Sequence, residues 1–377
     1  MPAITPNEDI GLAFDMHGCP NRCRHCWLGH QVVATPRTRM SEEEVRWAAA
    51  QFRAFRRPGE DRPPWRRFHV ESWIREPDYS DDYRRLYALE VELSDAPPAR
   101  DRHQVLSVWR LARDPEYAPW AYDLGIRECQ LTFFGLEKAT DWGCRRRGAF
   151  RDLLVATERL LVAGIRPRWQ LFFIKPLIPD LPGLVALAPG LVALAEERHL
   201  RERCEALGGP FTFWMHSPSP DGAGFELEHL RPTDRDLERV PRAFLEQSEA
   251  RLGRPIGVQE RILLRSLREE IAPVARSVSE VTSGNPVWFY VAPGFDVYLS
   301  FTEVRPAYRL GNLRTDGVAA VLDTYEHDRT PGLQAMFHTP TCELARRYGR
   351  PHGRRLYDTG DLQWRWVTMQ ARDAEAE

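Results

Sequence analysis

The chain contains very little lysine and no long apolar segment. Of its 377 residues only Lys138 and Lys175 are lysines, and the formal net charge is −2. The sequence therefore has no global basic field, and its charge does not indicate a nucleic-acid partner. No segment approaches the roughly 18 to 20 consecutive apolar residues of a transmembrane helix, and residues 1–10 lack a basic and then apolar signal region. We expect a cytoplasmic protein without a membrane partner.

Cysteine is also sparse. The chain has seven cysteines, and no second close pair follows the first three. In a reducing compartment such thiols serve as metal ligands, catalysts or buried side chains rather than as a disulfide framework. The length and the 43% hydrophobic content support a sizeable core, enough for one large domain and a smaller one.

Three of the cysteines lie together near the start of the chain. Cys19, Cys23 and Cys26 have the spacing C-x3-C-x2-C. Three thiolates this close can hold three corners of a [4Fe–4S] cluster and leave the fourth iron open for a ligand that is not protein. A cluster with an open iron can carry out chemistry.

A zinc site and a disulfide are the other interpretations of these cysteines. Structural zinc takes four ligands, and His17, His25 and His30 could complete such a set. Disulfide pairing is disfavoured in a reducing compartment. The absence of a second cysteine pair favours the iron–sulfur interpretation over zinc.

Strand patterns alternate with helical patterns over the first 220 residues. The predicted strands are residues 10–16, 67–74, 104–111, 128–134, 167–178 and 211–216. The predicted helices are one that begins after Ser41, followed by residues 83–93, 116–124, 149–163 and 184–207. About six such repeats predict an α/β fold, a partial (β/α)6 TIM-like barrel of parallel strands. These barrels place their chemistry at the C-terminal ends of the strands, where the cysteine loop lies.

The alternation stops near residue 225. We predict the partial barrel over residues 1–225, a charged helical connector over 226–285 and a smaller α+β domain over 286–377. Strands are expected at 287–291 and 296–301, and residues 371–377 are expected to form a frayed tail.

The cysteine loop resembles the signature of radical S-adenosylmethionine (radical SAM) enzymes, with an aromatic residue, Trp27, beside the third cysteine. The resemblance implies that the open iron binds S-adenosylmethionine (AdoMet). One electron from the reduced cluster then cleaves AdoMet, and the resulting 5′-deoxyadenosyl radical removes a hydrogen atom from the substrate. It also implies an external one-electron reductant of the flavodoxin or ferredoxin type.

Further AdoMet-binding residues follow from the same resemblance. The stretch 131–137 with Arg145 and Arg147 looks like the family's fourth strand and helix, so Glu137 and these arginines are expected to bind AdoMet. An arginine suits the carboxylate because its planar fork binds it at two points. A solvated basic cluster is the alternative interpretation of the arginines.

The family's Gly-Gly-Glu-Pro stretch is altered here. Residues 72–77 retain Glu76 and the following proline but not the glycines, and glycine is what lets a backbone approach a ligand closely. We expect Glu76 and Ser72 to share the contact with the AdoMet amino group.

Residues 291–322 resemble the C-terminal SPASM or twitch extension, which normally carries cysteines for auxiliary clusters. Ser300 stands where a cysteine is expected, and only Cys342 lies beyond it. An extension without its cluster favours a redox-neutral reaction such as epimerisation, rearrangement, elimination or decarboxylation. A thiol could return a hydrogen atom to the substrate radical, and Cys144 is the candidate best placed for this role. The other candidate thiols are Cys129, Cys204 and Cys342, and a buried inert thiol is the alternative for each.

The predicted function is a radical SAM enzyme that acts on a small metabolite in natural-product biosynthesis, such as a sugar, a nucleoside or an amino-acid-derived compound. The first predicted strand begins almost at the start of the chain, so we expect no N-terminal peptide-recognition domain, which favours a small metabolite over a ribosomal peptide. A peptide-modifying radical SAM enzyme is the second interpretation, and a non-catalytic iron–sulfur or zinc protein is the third.

Overall fold

The computed structural model describes residues 3–26, 39–72, 78–96, 103–197, 212–218, 222–242, 259–268, 286–299, 304–357 and 359–377. Its strands are β1 (Asp9–Ala13), β2 (Arg67–Glu71), β3 (His103–Gln104), β4 (Glu128–Phe133), β5 (Arg166–Phe172), β6 (Thr212–His216), β7 (Val287–Val291), β8 (Asp296–Leu299) and β9 (Arg309–Asn312).

Helices connect most of these strands. They are α1 (Glu42–Ala54), α2 (Tyr83–Leu93), α3 (Val108–Leu111), α4 (Tyr117–Asp123), α5 (Glu137–Cys144), α6 (Ala149–Ala163), α7 (Leu181–Glu197), α8 (Asp234–Leu237), α9 (Gln259–Arg268), α10 (Gly317–Glu326), α11 (Pro331–Phe337), α12 (Thr341–Tyr348) and α13 (Thr359–Ala376). Short 3-10 helices cover Lys175–Asp180, Gly222–Leu230 and Pro306–Tyr308. Within the described ranges, no helix is both long and apolar enough to cross a membrane.

The strands form two sheets. The first has the order β2-β1-β7-β8-β9, and the second has the order β3-β4-β5-β6. All pairs of the second sheet are parallel, and β1 is parallel to both β2 and β7. The pairs β7-β8 and β8-β9 are antiparallel. The fold is therefore α/β, as predicted, with one parallel sheet and one mixed sheet.

The C-terminal segment shares a sheet and a core with the start of the chain. Strand β7 pairs with β1 in the register Ala13 to Tyr290. Behind them, the ring of Phe289 lies 6.1 Å from that of Phe52 on α1 and 5.3 Å from that of Tyr325 on α10. The predicted boundaries at residues 225 and 285 remain a prediction, but strand β7 is a member of the first sheet.

Several sequence predictions are confirmed residue by residue. Helices 83–93 and 149–163 and strand 287–291 have the predicted bounds. Helix α1 begins after Ser41, whose Oγ accepts from the backbone N–H of Glu44 at 3.2 Å while the Glu44 carboxylate accepts from the Ser41 N–H at 2.8 Å. This reciprocal pair satisfies donors that the first helical turn leaves open.

Three local predictions are wrong. The strand predicted over 104–111 ends at Gln104, because Ser107 caps a helical turn by accepting from Arg110 N–H at 3.1 Å. The strand predicted over 167–178 ends at Phe172 and is followed by the 3-10 helix with proline near its start. The tail is not frayed, because α13 continues to Ala376 and the Glu375 carboxylate accepts from the Ala307 N–H at 2.8 Å.

Candidate active site

The cysteine loop begins at the C-terminal end of β1 and is tied to the end of β2. The backbone N–H of Met16 donates to the Ser72 carbonyl at 3.0 Å, and the N–H of Gly18 donates to Asp15 Oδ1 at 3.0 Å. Gly18 has a φ of +74°, a conformation that glycine adopts without a Cβ penalty. The loop therefore leaves the sheet through a turn that depends on this glycine.

The same loop caps the C-terminal end of α5. The N–H groups of Arg22 and Arg24 donate to the carbonyls of Cys144 and Gly143 at 3.1 and 2.8 Å. The Arg24 guanidinium donates to the Trp142 carbonyl at 3.2 Å and lies 4.4 Å from the centre of that indole ring. The last carbonyls of a helix have no partner within the helix. The cysteine loop supplies those partners, which fixes its backbone against α5.

The three cysteines of the loop are half-buried and form no disulfide. The backbone N–H of Asn21 donates to Cys19 Sγ at 3.4 Å. Cys23 packs against the core of the second sheet, and Cys26 packs with Ala13 and Tyr290 of the first. In the described part of the chain, no three His, Cys, Asp or Glu side chains are gathered into a group that could hold a metal ion. A cluster would therefore have to draw the three thiols together.

His25 lies between aromatic rings at the ends of two strands of the second sheet. Its ring is 4.8 Å from Phe134, which follows β4, and 4.7 Å from Phe172, which ends β5. Burial, with a smaller contribution from His216, lowers the pKa of His25 to about 3. The imidazole is therefore neutral at physiological pH. Because Cys26 contacts β1 and β7, the cysteine loop touches the C-terminal strand ends of both sheets.

A buried hydrogen-bonded chain supports the loop from the side of β2. The Ser72 hydroxyl donates to Glu90 Oε1 at 2.5 Å, and the Ser72 N–H donates to the same oxygen at 2.7 Å. His17 Nε2 lies 3.1 Å from Ser72 Oγ, and since that hydroxyl proton goes to Glu90, the imidazole N–H is the donor. Ser72, expected from the sequence to bind AdoMet, is thus engaged by Glu90 and His17, and its contact with AdoMet remains a prediction.

The residues predicted around α5 are not brought to one point. Glu137 opens the helix on the surface and pairs with Arg151 at 3.0 Å. Arg145 ends it with a φ of +50°, and Arg145 and Arg147 are both exposed. Cys144 was expected on a loop but is the last residue of α5, where it is buried. The structure leaves its proposed role as hydrogen donor a prediction.

Arg146 is the arginine of this cluster that contacts the cysteine loop. Its guanidinium donates to Asn21 Oδ1 at 2.5 Å and to the Asp152 carboxylate at 2.6 Å. The sequence analysis selected the arginines on either side of it. Three consecutive arginines look alike in a sequence, and only the left-handed turn at Arg145 determines which of them points to the loop.

Other predicted site residues lie outside the described residues. They are Trp27, His30, Glu76, Cys204 and Ser300. Of the further thiols, Cys129 is buried on β4 and Cys342 is half-buried on α12.

The face of the second sheet opposite its helices carries polar side chains. Alternate residues of β4 and β5, such as Phe133 and Trp169, pack into the core with rings 4.2 Å apart. The intervening residues point the other way. On that face the Glu128 carboxylate at the base of β4 pairs with Arg166, and Gln130 Oε1 accepts from Arg168 at 2.6 Å. This polar face ends at Phe172 and His25, below the cysteine loop.

The corresponding face of the first sheet is aromatic. Trp288 on β7 covers Gly11, where an added Cβ would lie 2.3 Å from the indole ring. Tyr290, the partner of Ala13, is fully buried, and burial raises the pKa of its neighbour Tyr298. The C-terminal segment thus supplies part of the wall next to Cys26.

No family model matches the chain, and no curated protein matches it. Similar solved structures include anSMEcpe with bound AdoMet and the Cp18Cys peptide, at 11% identity over 97% of both chains with a TM-score of 0.49. Streptococcus suis SuiB bound to the precursor peptide SuiA is 12% identical over 86% of this chain and 65% of that one, with a TM-score of 0.44. These likenesses are too distant to assign a function, which has to come from the residues of this chain.

Proposed function

We propose that the protein is a radical SAM enzyme in which Cys19, Cys23 and Cys26 hold one [4Fe–4S] cluster. The observation that carries the proposal is the placement of this three-thiol loop at the C-terminal ends of parallel strands, with its backbone fixed by the end of α5. The donor set fits the group, because three thiols serve three irons and no fourth thiol lies on the loop. When bound, the cluster supplies the electron that cleaves AdoMet and so starts hydrogen abstraction from a substrate.

The two sheets are proposed to form one partial (β/α)6 barrel with β1 to β6 as its strands. Contacts of the cysteine loop with strand ends of both sheets support this arrangement. The polar face of β4, β5 and β6 would then line the interior, with AdoMet bound between it and the loop. The proposed AdoMet-binding residues are unchanged from the sequence: Ser72, Glu76, Glu137, Arg145 and Arg147, together with Trp27 beside the cluster.

The proposed substrate is a small metabolite in natural-product biosynthesis, and the proposed reaction is redox-neutral with an external flavodoxin-type or ferredoxin-type reductant. A peptide is the second candidate, because solved structures with a similar fold are described with bound peptides. The proposed location of the protein is the cytoplasm.

Reductive cleavage of AdoMet tests the proposal. After anaerobic reconstitution and reduction with dithionite, the wild-type chain should convert AdoMet to 5′-deoxyadenosine and methionine. Cys26→Ser should lose this activity. Cys342→Ser removes a half-buried thiol far from the loop in sequence and should retain it. If the wild type forms no 5′-deoxyadenosine, or if Cys26→Ser matches it, the proposed function is wrong.

A further inference from the structure

Two neighbouring residues on the polar face of the second sheet each have a buried polar atom that has no hydrogen-bond partner among the described residues. Gln170 on β5 is 5% exposed and is in register with Trp214 on β6. In the described part of the protein, neither Gln170 Oε1 nor Trp214 Nε1 has a partner. Most buried polar groups in proteins are hydrogen-bonded, and leaving two neighbours unpaired costs stability. Such a pair is expected where a ligand completes the hydrogen bonds.

The surroundings hold the indole in place. The Arg168 guanidinium lies 4.5 Å from the centre of the Trp214 ring and is itself bound by Gln130 at 2.6 Å, with Glu128 at 3.6 Å. On the other side, the His216 ring is 5.3 Å from that of Trp214. The indole N–H is therefore a positioned donor.

The chemistry of the pair defines its ligand. Trp214 Nε1 only donates a hydrogen bond, and Gln170 Oε1 only accepts one. A ligand that satisfies both atoms needs an acceptor beside a donor, as in the C=O and N–H of an amide. An ester or ketone would leave Gln170 unpaired, and a protonated amine would leave the indole unpaired. The two atoms are uncharged, and the neighbouring Arg168 guanidinium is already bound by Gln130 and Glu128, so the pair favours an uncharged ligand.

The pair lies below the cysteine loop. Gln170 is two residues before Phe172, which is about 7 Å along a strand, and the Phe172 ring is 4.7 Å from that of His25. A group bound by Gln170 and Trp214 would thus lie inside the proposed barrel, below His25 of the cysteine loop.

We propose that Gln170 and Trp214 form a substrate subsite that binds an uncharged amide group. This inference rests on the proposed function, since it names the class of substrate for the same site. Trp214 donates to the amide carbonyl, and Gln170 accepts from the amide N–H. The substrate is thereby a molecule with a neutral amide close to the atom that loses hydrogen, which includes a peptide segment and an amide-bearing small metabolite.

The test uses N-benzylacetamide and its ester analogue benzyl acetate as probes of the full chain labelled with ¹⁵N at tryptophan. Trp214→Phe assigns the Trp214 indole N–H signal. The control variant is Trp47→Phe, which removes an indole from a half-buried site in the core of the first sheet and should leave the Trp214 signal in place. We expect the amide to shift the Trp214 signal saturably and to bind about fivefold to tenfold more tightly than the ester, which lacks the N–H. 3-Phenylpropan-1-ol tests whether a hydroxyl serves as well.

Gln170→Leu should abolish the preference, so that the amide and the ester bind with about equal affinity. Gln51→Leu on the outer helix α1 should retain the preference for the amide. Equal affinity of the wild type for amide and ester, an equally strong alcohol, or shifts confined to other indoles would overturn the proposal. The wild-type comparison needs no variant to fold. If the amide preference is absent while AdoMet is cleaved, only the subsite is wrong; if it is present without AdoMet cleavage, only the proposed function is wrong.

Discussion

Gly143 contacts both the cysteine loop and the aromatic ring of Phe134. Its carbonyl accepts from Arg24, and its α-carbon faces Phe134, the ring that packs on His25. A Cβ at this position would lie 2.3 Å from Phe134 Cγ. Only glycine lets the helix, the aromatic ring and the loop approach so closely.

Gly143→Ala should therefore push Phe134 against His25. We expect the free energy of unfolding to fall by about 1–3 kcal/mol, as in other overpacked cores, and the reconstituted iron content to fall with it. Gly190→Ala on α7 is the matched control, because among the described residues nothing outside the backbone of its own helix and its chain neighbours lies within 4 Å of its added Cβ. Urea unfolding and iron analysis measure both effects. Equal stability of the two variants would contradict this account of Gly143.

At the same scale, the cysteine motif could be predicted from the sequence, but the arginine that contacts its loop and the polar residues of the second sheet that lack partners in the described structure could not. The cysteine spacing is a local pattern and could be recognised directly. The choice of Arg146 over its neighbours depends on a backbone turn, and the Gln170–Trp214 pair depends on strand register across 44 residues. Neither is visible in a local pattern, because both arise only when distant segments meet.

At the scale of elements, α5 and the cysteine loop form one unit. The loop donates three hydrogen bonds to the last carbonyls of the helix, and the Arg24 side chain supplies one of them. Burial, and to a smaller extent Arg145, lowers the pKa of Arg24 from its usual value. Arg22, two residues earlier, is exposed and contributes its backbone N–H.

Arg24→Ala should loosen the loop and speed the loss of iron from the reconstituted protein to a chelator. Removal of one hydrogen bond worth about 1 kcal/mol corresponds to roughly fivefold faster release. Arg22→Ala leaves its backbone bond intact and should release iron at the wild-type rate. The two rates, followed by absorbance under anaerobic conditions, test the capping directly. Release that is equal in both variants would mean that the side chain of Arg24 does not hold the loop.

Elements with strong local signals were predicted well. Helices α2 and α6 have regular apolar spacing, and α6 ends at Gly164 with a φ of +85°. Helix α5 has no side-chain cap at its start and follows directly after a strand, so nothing local marks it. Its stability comes from packing and from the loop that caps it, which is tertiary information.

At the scale of the whole molecule, a strand near the start of the chain pairs with a strand close to residue 290. Strand β7 adds to β1 on the side away from β2, so Tyr290 stands beside Cys26. The sequence predicted β7 but not this pairing, because parallel neighbours can be far apart along the chain. The wall next to the cysteine loop is therefore built from β1 and β7, two strands that are far apart along the chain.

The most direct test of the central claim is the iron and acid-labile sulfide content per chain after anaerobic reconstitution. The wild type should hold about four irons and about four sulfides, as one [4Fe–4S] cluster requires. A variant with Cys19, Cys23 and Cys26 all changed to Ala should hold none. Zinc in place of iron, or iron that persists in the triple variant, would contradict the claim that these three cysteines hold a catalytic cluster.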